Sequence, residues 1–524
     1  MMNFPSRRKQ SYRLLKQAMT ATAVSICFSQ GAYALSFEPT EELHIDWDTT
    51  LNYGASWRVE DRDERLVDPT INGGVNVNKD DGDRNFDKGL ISNRISVTTE
   101  MDINYRNDYG MFLRGRAYYD DVYHQKTDND SPGTFNGASH NYNEFNEETT
   151  KRHGDEIEML DYFVYGNFDL SGKNLNVRLG SQVVSWGESV FVVGGISTAQ
   201  SPLDATQLGV PGVELKDIFL PQKQLYMQLD LSETMSVESY YQFEWDKTRL
   251  VAAGSYFSAD DYFDEGGEQL FTGLGTLTRG DDTAADNSGQ YGVAFRYLAE
   301  DLNNTEFGFY YLNYHDKLPV FDWSKAFSDG TYALRYAEDI KLYGASFGTV
   351  IGDTNVSGEY SYRDGMLFLD STPGTTMPIK GDLSTVQLSA IHVFGPSFLA
   401  DDTTFTGELG YNKVHGVKAS ELLSNDTDGW GFAAKFDLAY QQVMPGIDMN
   451  IPIIWNHDLA GNLGGDSAVL ATFDKGKDVV SVGAEFTYLN NFKTDIKYTS
   501  YLGSADEDPQ ADRDFVSISA KYSF

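Results

Sequence analysis

The side chains able to do chemistry are mostly charged, and they stand at every second position of short alternating segments. Arg94, Arg114, Arg116, Arg178, Arg296 and Arg363 occur in this way, with Glu238, Glu359 and Glu408 as counter-charges in other segments. Charges on one face of a strand suit electrostatic work rather than bond-making. They either pair across strands and fill an interior, since a buried charge needs a partner, or form a ladder that guides a charged solute. The sequence leaves both readings open.

Catalytic patterns are missing. The eight histidines are scattered and form no His-x-Glu or HExxH spacing, so no zinc-protease geometry is expected. No GxSxG elbow, P-loop or dinucleotide fingerprint sits in a strand-to-helix setting. A hydrolase assembled from distant Ser, Asp and His is the remaining enzymatic alternative; the expectation is a non-enzyme without a cofactor. Asp80, Asp81 and Asp83 form an oxygen-rich run that could hold Ca²⁺, but the spacing does not match an EF-hand loop, and the reading preferred is a solvated loop without a metal.

The elements that must position these charges are strands. From Leu43 to Val59 the odd positions carry apolar, aromatic or Thr side chains, and most even positions carry polar ones. That period of two is a two-faced strand. About 18 such segments follow one another, at 43–59, 90–105, 109–120, 157–169, 174–187, 224–231, 235–246, 289–298, 304–315, 338–350, 354–364, 384–394, 403–414, 429–441, 446–457, 477–488, 492–501 and 513–524. Their connections are long after odd-numbered segments and short after even-numbered ones, the asymmetry of outer loops and periplasmic turns. The fold class expected is therefore all-β: a closed antiparallel transmembrane barrel of about 18 strands.

Aromatic residues on the apolar face, Trp47, Trp57, Tyr105, Trp430, Tyr440, Tyr522 and Phe524, are placed to form interfacial girdles. The terminal Phe524 on an alternating strand resembles the signal read by barrel-insertion machinery. The connection 188–223 after the fifth segment differs from the other long ones, being apolar and rich in Gly and Pro. It is expected to fold into the barrel as a constriction or plug, with an exposed apolar cap as the alternative. Just before it, Arg178, Gln182 and Trp186 project to one side, and Glu188, Glu214 and Lys216 belong to the loop itself.

Residues 1–34 read as a secretory signal, with Arg7, Arg8, Lys9, Arg13 and Lys16 ahead of an apolar stretch and Ala32-Tyr33-Ala34 as cleavage site. The one cysteine, Cys27, lies inside it, so no thiol or disulfide is expected in residues 35–524. A formal charge of −37 argues against nucleic-acid or anionic-lipid binding. Aromatics at 14% of the 524 residues argue against disorder.

Several strings carry a family resemblance: Asp81-Gly-Asp-Arg-Asn-Phe86, Asn176-Val-Arg-Leu-Gly-Ser-Gln-Val-Val-Ser-Trp-Gly-Glu188, Val210-Pro-Gly-Val-Glu-Leu-Lys216, Glu338-Asp-Ile-Lys-Leu-Tyr-Gly-Ala-Ser346, Gly358-Glu-Tyr-Ser-Tyr-Arg363 and Gly410-Tyr-Asn-Lys-Val-His-Gly416. In these the chain resembles the large proteobacterial outer-membrane family known as domain of unknown function thirteen-oh-two. The resemblance implies an outer-membrane location, contact with lipid and lipopolysaccharide, and the company of an RND-type inner-membrane transporter and a periplasmic lipid-carrier-like protein. It implies no catalytic residues. Three functions follow as expectations: a channel for a hydrophobic or amphipathic compound, a non-transporting surface protein binding cations, lipopolysaccharide or a partner through acidic loops, or a general diffusion porin.

Overall fold

The computed structural model describes residues 35–70, 77–192, 194–370, 378–422, 426–463 and 473–524. The expected signal segment lies outside the described residues. Strands form where apolar and polar side chains alternate. The first are β1 (Leu35–Thr40), β2 (Leu43–Arg58), β3 (Gly89–Tyr105), β4 (Tyr109–Asp120), β5 (Asp155–Asp169), β6 (Asn174–Gln182), β7 (Gln222–Ser232) and β8 (Met235–Gln242). After β9 (Gln269–Thr272) and β10 (Gly275–Arg279) come β11 (Tyr291–Ala299), β12 (Thr305–Tyr314), β13 (Val320–Asp322), β14 (Thr331–Arg335), β15 (Ile340–Ile351) and β16 (Thr354–Phe368). The chain ends with β17 (Ile379–Val393), β18 (Asp402–His415), β19 (Asp428–Met444), β20 (Ile447–Ala460), β21 (Asp478–Tyr488), β22 (Phe492–Tyr501) and β23 (Phe515–Ser523).

Eighteen of these close into one antiparallel barrel. Sequential neighbours pair from β2 to β8, then through β11, β12 and β15 to β23, and β23 returns to β2 with Arg58 opposite Phe515 and Thr50 opposite Ser523. Phe524 and Thr49 exchange backbone hydrogen bonds of 2.7 and 2.9 Å at the seam. Closure leaves no unpaired edge in the wall, as a bilayer interior requires. Below the point where β23 ends, β1 pairs with the stretch of β2 that would otherwise be bare, Leu35 opposite Trp47. Among the described residues no helix is long and apolar enough to cross a membrane.

Side-chain parity follows the expected rhythm. Trp430, Phe436 and Phe309 face outward and are 45%, 41% and 52% exposed, an apolar belt that water would not tolerate. Trp47 and Tyr105 are likewise exposed, and Trp57, Tyr440, Tyr522 and Phe524 half-buried. The interior departs from expectation. Only part of the inward face is polar: from β11 to β18 it carries Leu312, Tyr314, Ile340, Leu342, Met366 and Leu383, all buried, in one apolar cluster. Opposite them, β2 to β5 carry Arg58, Arg94, Arg114, Arg116 and Asp161, also buried. The barrel thus encloses a charged wall and an apolar wall.

The long connections hold structure that alternation did not indicate. Strands β9, β10, β13 and β14 form a separate four-stranded sheet, β10 and β14 running parallel, above the barrel on the long-loop side. A second apolar cluster joins Phe86, Ile91, Tyr123, Tyr256 and Phe515 across several connections.

Candidate functional site

The segment 188–223 leaves the wall after β6, the fifth barrel strand, and crosses the lumen. Its first arm rests on the apolar wall, where Trp186, Ile196 and Ala199 join the cluster of Leu312, Leu342 and Leu383. Trp186 donates its indole N–H to Glu238 at 2.7 Å, and its backbone N–H to Gln200 at 2.6 Å. The backbone of this arm is held by wall carboxylates. Glu359 of β16 accepts from the N–H groups of Glu188 (2.6 Å), Ser189 (3.2 Å) and Ile196 (2.8 Å). Glu408 of β18 accepts from Val190, Phe191 and Val192 at 3.1, 2.6 and 2.6 Å.

Carbonyls of the same arm meet donors. Arg363 reaches the carbonyls of Gly194 and Gly195 at 2.6 and 2.8 Å, and Gln387 that of Val192 at 2.6 Å. So close an approach needs glycine: a Cβ at Gly195 would lie 2.5 Å from a carboxylate oxygen of Glu359. At Gly187, where φ is +98°, it would lie 2.3 Å from the other.

The second arm, 204–217, faces the charged wall. Arg114 bonds the carbonyl of Lys216 at 2.8 Å and pairs with Asp161 at 2.6 Å. Arg116 bonds the carbonyl of Asp217 and pairs with Asp204 of the loop at 2.8 Å and Glu158 at 2.5 Å. Asn52 donates to the carbonyl of Pro211 at 3.0 Å. Lys216 pairs with Glu100 at 2.8 Å, and Glu214 with Lys521 at 2.6 Å. Arg94 donates to Gln207 at 2.9 Å. The infolding expected for 188–223 is thus built from bonds to strands on both sides of the lumen.

Of the residues singled out from sequence, Arg94, Arg114, Arg116, Trp186, Glu188, Glu214, Lys216 and Arg363 converge on this loop. Arg296 stands beside it, paired with Glu238 and Glu306 at 2.6 and 2.7 Å. Arg178 lies apart, bonded to Asn176 and over the Tyr226 ring, and Gln182 bonds the backbone of the neighbouring strand at Gln224. Glu359, Glu408, Gln387 and Asn52 were not singled out as loop anchors. Their inward parity was readable, but their partners sit up to 218 residues away in the chain.

The three aspartates weighed as a calcium site diverge. Asp80 pairs with Arg84 at 2.5 Å, Asp81 accepts from Asn129 and from the backbone of Asn136, and Asp83 pairs with Arg58 at 2.6 Å. Each oxygen set serves a different neighbour, and no group of three acidic, His or Cys side chains suited to a metal occurs among the described residues. The run is also buried, not the solvated loop expected: Asp80, Asp81 and Asp83 hold the connections together from inside.

Among solved structures the chain is similar to OccAB1 of Acinetobacter baumannii, at 10% identity over 95% of this chain and 99% of that one, with a TM-score of 0.46. It is similar also to OccK2 (OpdF) of Pseudomonas aeruginosa in complex with glucuronate, at 9% identity over 92% and 98% of the two chains and a TM-score of 0.43. OmpF of Salmonella typhi in complex with daunomycin gives 9%, 94%, 100% and 0.38. No curated protein matches the chain. Residues 15–524 match one family model, that of the proteins of unknown function DUF1302, and the chain belongs to this family.

Proposed function

We propose that the chain is a channel of the Gram-negative outer membrane that passes a hydrophobic or amphipathic compound through a lumen narrowed by 188–223. The observation that carries this reading is the loop itself, hung between an apolar wall at Leu312, Leu342 and Leu383 and a basic wall at Arg94, Arg114 and Arg116. A purely aqueous bore has no use for buried apolar side chains facing inward. A solute with a greasy body and a polar end finds matching surfaces on both sides of the loop. The exposed outward belt of Trp430, Phe436 and Phe309 supports a lipid setting, reached with the help of barrel-insertion machinery.

Two cavities flanking the loop are small, about 30 and 40 Å³, and the loop's bonds to both walls favour a gated path over a general diffusion porin. The family resemblance supports an RND-type transporter and a periplasmic lipid-carrier-like protein as partners in the same traffic. Deleting 190–213 and recording single-channel currents in planar bilayers tests the reading. Conductance is expected to rise several-fold, together with uptake of an apolar dye by proteoliposomes. Unchanged conductance in a folded barrel refutes it.

A further inference from the structure

Among the described residues, several buried arginines leave an N–H unpartnered, as at Nε of Arg58, Arg114 and Arg513, but all except one meet a carboxylate or a backbone carbonyl. Arg58 pairs with Asp83 and Asp512, Arg114 with Asp161, and Arg116 with Glu158 and Asp204. Arg363 and Arg513 hold two backbone carbonyls each. Arg94, 4% exposed, has neither a carboxylate within ion-pairing distance nor a carbonyl among the described residues. Of its five N–H groups, one donates to the neutral Gln207 side chain, and its Nε is buried without a partner. Its guanidinium carbon sits 3.5 Å above the centre of the Tyr118 ring, which stacks the cation but fills none of its in-plane bonds.

An unpaired guanidinium at such depth is costly unless an anion completes it. Space for one lies beside it. The polar cavity of about 30 Å³ between the second loop arm and the basic wall is lined by Arg94 and Gln207, by Lys216 and Lys521, and by the carboxylates of Glu214 and Asp217. One water needs roughly 10–15 Å³ on the same measure, so the cavity has room for a group of carboxylate size. The two lysines at its margin are already engaged by Glu100 and Glu214. Asp217 lends one oxygen to the backbone N–H of Glu214 and keeps the other unpartnered, so Arg94 is the open cation of the cavity.

We infer that this cavity is a headgroup subsite in which Arg94, held over Tyr118 and oriented by Gln207, receives the carboxylate of an amphipathic solute. The inference rests on the channel reading and deepens it, because it names the polar end that the basic wall accepts. The planar fork of Arg94 matches a carboxylate through two parallel N–H bonds. A neutral amide of the same shape offers one oxygen and no charge.

The test compares hexanoate with hexanamide by titration calorimetry on the full-length protein in mild detergent at neutral pH, alongside proteoliposome uptake of both. The wild-type protein is expected to bind hexanoate at least about tenfold more tightly than hexanamide, and Arg94→Gln to abolish that preference by weakening hexanoate at least about tenfold more than hexanamide. Equal wild-type affinity for acid and amide overturns the subsite without recourse to any variant. So does a preference that survives in a folded Arg94→Gln barrel, its fold checked by heat-modifiable electrophoretic mobility. Carboxylate preference without uptake of either compound retains the subsite and refutes the channel. Uptake of both without preference does the reverse.

Discussion

Replacing Glu359 by Gln should release the first arm of the lumen loop while leaving the barrel closed. The carboxylate accepts three backbone N–H bonds, from Glu188 and Ser189 on one oxygen and from Ile196 on the other, at 2.6, 3.2 and 2.8 Å. A glutamine keeps one acceptor oxygen, loses the charge, and turns an NH₂ group toward at least one of those N–H donors. Bonds to a charged acceptor contribute about 1.5–3 kcal/mol each, and a buried amide left unpaired costs a similar amount. Losing one bond and weakening the others therefore costs about 3 kcal/mol. At about 1.4 kcal/mol per factor of ten, local opening of the arm becomes roughly a hundredfold more frequent.

Hydrogen exchange resolved to single amides reads this directly. Residues 188, 189 and 196 should exchange about two orders of magnitude faster in Glu359→Gln, while strand amides paired between β16 and β17 keep their protection. Glu408→Gln should do the same at 190, 191 and 192, and the double variant should fall short of the sum because both carboxylates hold one short segment. If the 188, 189 and 196 amides exchange at wild-type rates in the folded variant, wall carboxylates do not position the loop and the argument fails.

Three further outcomes are expected. Trp186→Phe removes the indole bond to Glu238 and leaves a buried carboxylate short of a donor, which should lower stability by about 1–3 kcal/mol, read as a lower urea midpoint in vesicles. Phe436→Arg puts a charge on the outward belt and should cost about 2–4 kcal/mol if the site is near the bilayer centre; an unchanged urea midpoint would mean that this face does not meet lipid. The outer loops should loosen as pH rises. Burial, with Asp80 adding to it, pushes Asp81 up to about 7, and burial with Asp83 beside it pushes Asp512 up to about 7. Because both folded values lie above the ordinary carboxylate range, the stability they contribute is complete below that range and is lost as pH climbs through about 7. Limited proteolysis at 77–86 and 505–514 should therefore be faster at pH 8 than at pH 5, with the difference reduced in Asp81→Asn.

The strand pattern was legible because a wall between lipid and lumen imposes a strict period of two. All eighteen expected segments overlap barrel strands, although 174–187 and 235–246 run past strand ends at Gln182 and Gln242, and Tyr343 and Leu342 show why: 49% exposed on the lipid side against 0% inside. The same case shows the limit. Where both faces are apolar, as along Phe309, Tyr310, Tyr311 and Leu312, alternation of character disappears and the inward apolar wall cannot be told from the outward belt. The side sheet escaped notice for another reason. Its strands span three to five residues, too short for a period to register, and their pairing joins two separate connections.

The lumen charges posed a choice between pairing with one another and guiding a solute, and the structure gives them another task. Much of their bonding is to main chain. Glu359 and Glu408 hold six N–H groups of the loop, while Arg363, Arg114 and Arg116 hold its carbonyls. An irregular, glycine-rich segment has backbone groups that no strand or helix satisfies, and they cannot be buried bare. The wall supplies the complement that secondary structure would otherwise provide. It follows that side-chain changes along 188–196 that keep the glycines should alter what the lumen admits more than where the loop sits. A single change at Glu359 or Glu408 should move the loop whatever its sequence.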